Sequence, residues 1–298
     1  MILQQLKKKG LINPPKFLID NTQYLCYMGS VAYGVSSDSS DLDIYGFCIP
    51  PKEEIFPHLK GAIAGFGRQK KSFDQWQEHH ILDESAKKEY DFQVYSIVKY
   101  FQLCMDNNPN MLDSLFVPER CVMHSTQIGN LVRENRKLFV HKGSWHKLKG
   151  YAYSQLHKMS IKNPEPGSKR AKLIEEHGYD TKFAYHVYRL MSQGEELLST
   201  GNITLDEKGR REVMKAIRAG KWSEEKLKNY FSEEESRLNE LYHTSTALPH
   251  SPDEGKIKDL LLECLKIQYG SLDKAIVIEG REIQALRDIR DILEKVGL

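Results

Sequence analysis

Residues 29–47 read GSVAYGVSSDSSDLDIYGF, and they follow the apolar run YLCYM at residues 24–28. This order predicts a strand, a Gly-Ser turn, the start of a helix and a second strand. Alternate residues of a strand point to the same face of a sheet, so Asp41 and Asp43 would present their carboxylates side by side. We interpret this pair as a platform for divalent metal ions.

Two carboxylates next to a Gly-Ser turn suit nucleotidyl transfer, in which an acceptor oxygen attacks a nucleotide phosphorus and pyrophosphate leaves. Negative charge gathers on both sides of the phosphorus, and two metal ions can neutralise it. Mg²⁺ prefers oxygen ligands and keeps waters and substrate phosphates in its shell, so a few carboxylates suffice. Gly29 would let the backbone approach a phosphate, and Ser30 with the following amides would donate hydrogen bonds to it.

The pattern of Gly29-Ser30 followed by Asp41-Leu42-Asp43 resembles the DNA polymerase beta superfamily of nucleotidyltransferases. Further segments resemble one branch, the predicted nucleotidyltransferases of the RNA repair pathway DNA polymerase beta family. They follow the order of that family and are NPN at 108–110, LVRENR at 131–136, GYAYSQ at 150–155, YDTKFAYHVYRL at 179–190, IRAG at 217–220 and LP at 248–249. The Gly-Ser and Asp-x-Asp pair alone is a weak signal, whereas the ordered series is a strong one.

The resemblance implies a third carboxylate on a neighbouring strand, and we predict that it is Asp91. This residue lies in the alternating run KEYDFQVY at 88–95, which is typical of a half-buried strand and precedes a helix capped by Ser96. Asp41, Asp43 and Asp91 would then hold two Mg²⁺ ions, with Mn²⁺ as an alternative, and Asp91 would act near the acceptor hydroxyl. An ordinary solvent-facing role for Asp91 is the competing interpretation. Rival carboxylates in less regular surroundings are Asp74, Asp83, Glu84 and Glu89.

The helix predicted over residues 181–198 has two stripes. An apolar stripe at helical spacing would face the core. A polar stripe carries Lys182, His186, Arg189 and Gln193, which align on one side of the helix. We predict that Lys182 and Arg189 bind the nucleotide together with the Gly-Ser turn, and a solvated helix face is the alternative.

Residues 1–117 mix strand and helix signals, whereas residues 118–298 are dominated by helical periodicity. We therefore predict an α+β fold, with a polymerase-beta-like nucleotidyltransferase core over 1–117 that contains a small mixed sheet. A mostly α-helical domain would cover 118–298. The segment 61–86 has poor periodicity, and we interpret it as a flexible insertion without an assigned role.

Composition narrows the class of protein. Of 298 residues, 40% are hydrophobic and 28% are charged, which is typical of a globular domain. No apolar stretch approaches the roughly 18 residues of a membrane-spanning helix, so we expect a cytoplasmic protein. The five cysteines are scattered without a Cys-x-x-Cys pair, which predicts reduced core residues rather than a structural zinc site.

Charge is distributed unevenly along the chain. The net charge is +2, yet the stretch from Arg133 to Lys172 holds eleven Lys or Arg residues against only Glu134 and Glu165. A local excess of positive charge favours a polyanionic partner, because phosphate attraction supplies most nonspecific affinity. Binding of the nucleotide triphosphate alone could account for this positive charge. RNA is the alternative polyanionic partner.

These observations predict an enzyme that transfers an NMP unit from an NTP, with ATP favoured, to an acceptor hydroxyl and releases pyrophosphate. The family resemblance implies an RNA end as the acceptor. Transfer to a protein or small molecule is an alternative, and so is a nucleotide or RNA sensor without catalysis. The sequence contains no P-loop motif and no Gly-x-Ser-x-Gly elbow, which argues against ATPases and hydrolases of those types. The preferred NTP, the number of nucleotides added and the oligomeric state stay open.

Overall fold

The structure is a computed structural model, and it describes residues 1–37, 40–69, 71–161 and 164–271 together with Leu286, Ile289, Arg290 and Leu293. The strands are β1 Thr22–Tyr27, β2 Leu42–Cys48, β3 Gln75–Asp83, β4 Lys88–Ser96 and β5 Val122–Ser125. The helices are α1 Ile2–Lys8, α2 Gly29–Ala32, α3 Lys52–Ile55, α4 Ile97–Met105, α5 Pro109–Phe116, α6 Gln127–Glu134, α7 Gly143–Ile161, α8 Lys169–His177, α9 Thr181–Thr200, α10 Lys208–Arg218, α11 Glu224–Thr244 and α12 Glu254–Tyr269. Short 3₁₀ turns lie at Pro57–Lys60, Glu119–Cys121 and Arg136–Phe139.

The five strands form one mixed sheet in the order β3-β4-β2-β1-β5. The pair β2 and β4 is parallel, and the other neighbours are antiparallel. A small mixed sheet with a helical C-terminal part confirms the predicted α+β fold class. Strand β5 lies beyond residue 117 but belongs to the same sheet, and the division of the chain near residue 117 stays a prediction.

The two faces of the sheet are covered by different parts of the chain. On one face, Ile44 and Phe92 are fully buried in a cluster that includes Leu3 and Leu6 of α1. Asp43 precedes Ile44 by one residue and therefore points to the opposite face, as does Asp91. That face is covered by helices from α2 onward, whose buried side chains form one large cluster with Phe47. The helical part of the chain thus lies over the predicted carboxylates.

The long helices α7 and α9 pack closely and form the centre of the helical part. Trp145 of α7 is fully buried, and a side chain at Gly194 of α9 would collide with its ring. Helix α9 begins at a cap, since the Asp180 side chain accepts hydrogen bonds from the backbone N–H groups of Lys182 and Phe183. This packing fixes the faces that α7 and α9 turn toward the sheet.

The predicted turn at residues 108–110 caps a helix. The Asn108 side chain accepts hydrogen bonds from the Asn110 and Met111 backbone amides, and Pro109 occupies the first turn of α5. Ser96 caps α4 in the same way through the Lys99 amide, which confirms the predicted strand-to-helix junction after β4.

Two predictions from composition can be compared with the structure. All five cysteines are buried and unpaired, which agrees with reduced core residues. None of the helices in the described part of the chain is long and apolar enough to cross a membrane.

Candidate active site

The predicted Gly-Ser turn lies directly against Asp43. Strand β1 ends at Tyr27, and the next amide, that of Met28, donates to the Asp43 carbonyl at 2.8 Å. Gly29 has φ +58°, and a Cβ atom there would collide with Asp43 Oδ2. Only glycine combines this left-handed backbone with such a close approach. The order strand, turn, short helix and second strand agrees with the sequence prediction, and Ser30 is the second residue of α2.

The parallel pairing of β2 and β4 brings two predicted carboxylates together. Asp43 and Asp91 are direct partners in the register, so their side chains leave the same face of neighbouring strands. Asp41 lies one residue before β2 begins and also raises the pKa of Asp43 electrostatically. The three acidic residues predicted from sequence therefore belong to one region of the sheet.

Asp43 has an unfavourable environment for a negative charge. Burial, followed by the charge of Asp91, raises the pKa of Asp43 from 3.8 to about 6, and Asp41 adds to the effect. Lys182 opposes the shift because its positive charge favours the carboxylate. A shift of this size, caused by desolvation and crowded acids, is common at functional sites.

Asp91 is oriented by an edge strand that the sequence did not reveal. Its Oδ1 accepts a hydrogen bond from the His80 backbone N–H at 2.7 Å and lies 3.6 Å from His79 Nδ1. Both histidines lie in an irregularity of the β3–β4 pairing between Glu78 and Ile81, where His80 has φ +56°. This bulge turns a backbone amide toward the carboxylate.

The interpretation of residues 61–86 as a flexible insertion is therefore wrong for its second half, which forms β3 from Gln75 to Asp83. Buried residues occur at Trp76, Ile81 and Asp83, so the two-residue period is broken in the middle of the strand. The bulge at His79 and His80 is the physical reason that simple alternation is absent from the sequence.

The carboxylate oxygens of the acidic region are suitable ligands for metal ions, but they do not enclose a metal site by themselves. In the described ranges, no three His, Cys, Asp or Glu side chains are close enough together to enclose a metal ion. Mg²⁺ generally uses one or two carboxylates and completes its shell with waters and substrate phosphates. Oxygen ligands on β2 and β4, with Asp43 crowded by other acids, match that mode of binding. The assignment of Asp41, Asp43 and Asp91 as metal ligands stays a prediction.

Helix α9 places the two predicted nucleotide-binding cations in different environments. Lys182 lies exposed in the first turn, close enough to influence the pKa of Asp43, and it forms no ion pair within the described residues. Arg189 is only 4% exposed, and its Nη1 donates to Asp113 Oδ2 and to Gln193 Oε1, each at 2.7 Å. The positive charge of Lys182 can therefore interact with a ligand. The charge of Arg189 is already paired with Asp113 in the interior.

Asp113 is a structurally important residue that the sequence reasoning missed. It is 1% exposed and accepts hydrogen bonds from the Tyr33 hydroxyl at 2.7 Å, from Gln193 Nε2 at 2.6 Å and from Arg189. The Arg189 guanidinium also lies 4.3 Å from the centre of the Tyr33 ring. The sequence feature that could have indicated Asp113 is its place as the one acidic residue in the apolar helix sequence PNMLDSLF. A charge buried in such a helix needs a partner.

A cavity of about 160 Å³ lies between the sheet and the helices. It is lined by residues of β2, α2, α5, α7 and α9, and these residues include Asp43 of β2 and Arg189 of α9. Its lining residues are Met28, Gly29, Tyr33, Asp43, Tyr45, Asn110, Tyr151, His186 and Arg189. Tyr151 and His186 were in segments singled out from the sequence, but only the packing of α7 and α9 brings them to Asp43.

A larger depression of about 700 Å³ lies away from these groups, between α9, α10 and α11. Its charged residues neutralise one another, since Arg210 pairs with Glu196 and Arg237 pairs with Glu195 and Glu234. The smaller cavity beside Asp43 is therefore the better candidate for chemistry.

The chain resembles known proteins at the level of one family and of individual relatives. The model of the RNA repair pathway DNA polymerase beta family matches residues 4–218. An uncharacterized 38.9 kDa protein from the nrdC-mobD intergenic region of Enterobacteria phage T4 is 27% identical over 149 residues, which cover 49% of this chain and 40% of that protein. The chain thus matches less than half of the length of this relative.

Among solved structures, a nucleotidyltransferase-like protein from Exiguobacterium sibiricum 255-15 aligns over 81% of this chain and 73% of its own. Sequence identity is 10% and the TM-score is 0.29.

Proposed function

This chain belongs to the RNA repair pathway DNA polymerase beta family, a family of polymerase-beta-like nucleotidyltransferases, and we propose that it transfers a nucleotide from an NTP to an acceptor hydroxyl. In this reaction the acceptor hydroxyl loses its proton to solvent, and its oxygen bonds to the α-phosphorus of the NTP. The bond from that phosphorus to the bridging oxygen breaks, and pyrophosphate leaves. ATP is our favoured donor.

The observation that carries the proposal is the register of β2 and β4, which puts Asp43 opposite Asp91 beside the Gly29 turn. A protein that only bound a nucleotide would gain little from acidic groups placed where phosphates must lie. Crowded carboxylates become favourable when cations neutralise them, as in metal-dependent phosphoryl and nucleotidyl transfer. Catalysis therefore accounts for the pairing of Asp43 with Asp91 better than simple binding does.

Each residue of the site has a role in the proposed reaction. Asp41, Asp43 and Asp91 would hold two Mg²⁺ ions, which supply positive charge to the attacking and leaving oxygens. The His80 amide keeps the Asp91 carboxylate turned in a fixed direction through its 2.7 Å hydrogen bond. The Gly29 turn, with Ser30, would donate hydrogen bonds to the terminal phosphates, and Lys182 would add a positive charge beside them.

We propose an RNA end as the acceptor, supported by the family and by the surface of α7. Lys147, Tyr151, Ser154 and Lys158 follow one another at intervals of four, three and four residues and so lie on one side of this helix. Both lysines are exposed and form no ion pair within the described residues, and Tyr151 between them lines the cavity. A polyanionic strand could cross this face on its way to Asp43.

Incubation of the protein with labelled NTPs, Mg²⁺ and a panel of RNA 3′ ends tests the proposal. The wild type should form a labelled RNA product and release pyrophosphate, and Asp43→Asn should lower the rate at least about a hundredfold. Asp20→Asn, which changes an exposed carboxylate away from the site, is the matched control and should retain full activity. Nucleotide binding without pyrophosphate release for every acceptor would contradict catalysis. Labelled protein or small-molecule products would show that the acceptor is not RNA.

The role of α7 can be tested separately through the salt dependence of RNA binding. Replacing Lys147 and Lys158 together by Gln should reduce the slope of log affinity against log salt by about 1.4, since each phosphate contact contributes about 0.7 on single strands. Lys228→Gln removes a lysine that already pairs with Glu224 at 2.6 Å and should leave the slope nearly unchanged. Equal slopes for the wild type, the double variant and Lys228→Gln would show that α7 does not contact the RNA.

A further inference from the structure

The segment that follows the Gly29-Ser30 turn is hydrogen-bonded back to that turn. The Tyr33 amide donates to the Gly29 carbonyl at 3.2 Å, and the Val35 amide donates to the Ser30 carbonyl at 2.9 Å. Helix α2 is only four residues long, so few hydrogen bonds within the helix keep it in place. Contacts that fix residues 31–35 therefore also fix the position of the turn.

Asp206 lies against this segment from the opposite part of the chain. It belongs to the connection between α9, which ends at Thr200, and α10, which begins at Lys208. A Cβ atom at Gly34 would collide with Asp206 Oδ1, and Gly34 has φ +68°. Only glycine combines this backbone with such a close approach. The Asp206 carboxylate thus supports the loop directly, and its side chain is 15% exposed.

Arg120 links Asp206 to α2. Its Nη2 donates to Asp206 Oδ2 at 2.6 Å, and its Nη1 donates to the Val31 carbonyl at 3.1 Å. A guanidinium group is planar, and its N–H groups point in fixed directions. The carboxylate that accepts from Nη2 therefore also sets the direction in which Nη1 meets α2.

Two arginines of α10 complete this arrangement. Arg211 Nη1 donates to Asp206 Oδ1 at 2.7 Å, and Arg218 Nη1 donates to the Val35 carbonyl. Burial raises the pKa of Asp206, but the hydrogen bonds from Arg120 and Arg211 outweigh burial and lower the pKa below its ordinary value. Asp206 is therefore ionised at neutral pH and accepts from both arginines.

The charge of Asp206 has the wrong sign to attract an anionic ligand. A carboxylate next to the loop repels phosphates bound at the Gly29 turn, because like charges raise each other's energy. Asp206 could favour phosphate binding only through the direction that it gives to Arg120 and the support that it gives to Gly34. Charge and geometry thus predict opposite effects on nucleotide affinity.

We propose that Asp206 is a positioning residue for the Gly29 turn. It orients Arg120 toward the Val31 carbonyl and supports the backbone at Gly34, and so it keeps the turn in the place where the phosphates of an NTP would bind. The inference rests on the proposed function, because it assumes that the turn binds those phosphates. Asp206 acts through other residues and is not itself a catalytic residue.

Two variants that differ in charge test the inference. Asp206→Asn removes a negative charge, whereas Arg120→Lys keeps the positive charge and removes the fixed fork. Calorimetry measures the binding of α,β-methylene-ATP in the presence of Mg²⁺. Asp206→Asn should weaken binding about tenfold and Arg120→Lys about fivefold, as expected for lost hydrogen bonds between charged groups. The double variant should stay near tenfold, because the two residues act as one unit.

Steady-state kinetics separates positioning from a general loss of structure. In Asp206→Asn, the KM for NTP should rise about tenfold while kcat stays within about twofold of the wild-type value. A variant that is only partly folded would have fewer active molecules, which lowers kcat and leaves KM unchanged. That second result would assign Asp206 to stability alone and overturn the inference.

Glu207→Gln is the matched control, because it removes the same charge from the next residue. The Glu207 carboxylate accepts hydrogen bonds from the Gly209 and Arg210 amides at the start of α10. This variant should keep the wild-type affinity and KM. Unchanged or tighter binding in Asp206→Asn overturns the inference, since tighter binding is the effect of charge alone. A loss of about fiftyfold in the double variant would mean that Asp206 and Arg120 act separately and would also overturn it. Should Asp206→Asn fail to fold, the loss of affinity in Arg120→Lys decides the point.

Pyrophosphate release by the wild type separates this inference from the proposed function. Turnover with the same KM in the wild type, Asp206→Asn and Arg120→Lys would leave the function intact and remove the positioning role. Binding of the analogue that Asp206→Asn weakens about tenfold, without turnover by the wild type, would do the reverse. Absence of both binding and turnover in the wild type would overturn both.

Discussion

Two carboxylates, Asp113 on α5 and Asp43 on β2, have contrasting surroundings. Asp113, on the helical side, is 1% exposed and is satisfied by Tyr33, Arg189 and Gln193. Asp43 lies on the sheet side. Its burial, together with the nearby charges of Asp91 and Asp41, raises its pKa to about 6. The charge of Asp113 is neutralised within the fold, whereas Asp43 becomes favourable only when it binds a proton or a cation. A carboxylate of the second kind is typical of functional sites.

The largest expected effect is the loss of the neutralised carboxylate. Asp113→Ala should lower the free energy of unfolding by about 3 to 5 kcal/mol, because it leaves the Arg189 charge buried without its partner. Urea denaturation at pH 7 measures this change. Asp20→Ala, at an exposed position, should alter the free energy of unfolding by less than about 0.5 kcal/mol. A loss for Asp113→Ala as small as that would show that the ion pair is not enclosed.

The crowded carboxylate should behave in the opposite way. Asp43→Asn should increase the free energy of unfolding by about 2 kcal/mol at pH 7 in EDTA, since it removes a buried charge from beside Asp91. The folded state raises the pKa of Asp43 from 3.8 to about 6, so folding favours the protonated form. The wild type should therefore lose stability relative to the variant as pH rises from about 4 to 6.

Urea denaturation at pH 4 and pH 7 measures this dependence on pH. The two proteins should be nearly equal in stability at pH 4 and differ at pH 7. A variant that is less stable than the wild type at both values would mean that Asp43 is held by favourable interactions, which contradicts its raised pKa.

A smaller effect is expected where the Gly-Ser turn approaches Asp43. Gly29→Ala should lower the free energy of unfolding by about 1 to 2 kcal/mol through its left-handed backbone, with a further loss from the collision with Asp43 Oδ2. Gly10→Ala is a matched control, because Gly10 has φ +70° but open space around it. Thermal denaturation of both variants compares them, and equal losses would mean that the contact with Asp43 is not tight.

The smallest expected effect concerns the exposed cation. Lys182→Gln should raise the KM for NTP by about fivefold, which corresponds to roughly 1 kcal/mol for an exposed charge. It should also raise the pKa of Asp43 further, because Lys182 favours the ionised form. Lys208→Gln, on the exposed start of α10, should leave KM unchanged. Steady-state kinetics decides the point, and an unchanged KM in Lys182→Gln would remove this residue from the phosphate site.

Local patterns predicted a large part of the fold. The strand-turn-helix-strand order around Gly29, the strand that carries Asp91 and the caps at Ser96 and Asn108 are confirmed. These features depend on alternation and capping, which act over a few residues. Strand β3 was missed because the bulge at His79 and His80 interrupts its alternation.

Sequence by itself determined the fold class, the family and the pair of acidic strands, since periodicity and ordered motifs are local properties of the chain. The tertiary structure alone decided that Asp43 and Asp91 share one register, that Arg189 is neutralised by Asp113, and that His186 and Tyr151 meet at one cavity. These pairs of residues are 35 to 76 positions apart in the chain. Such neighbours are set by how sheets and helices pack, and no local pattern contains that information.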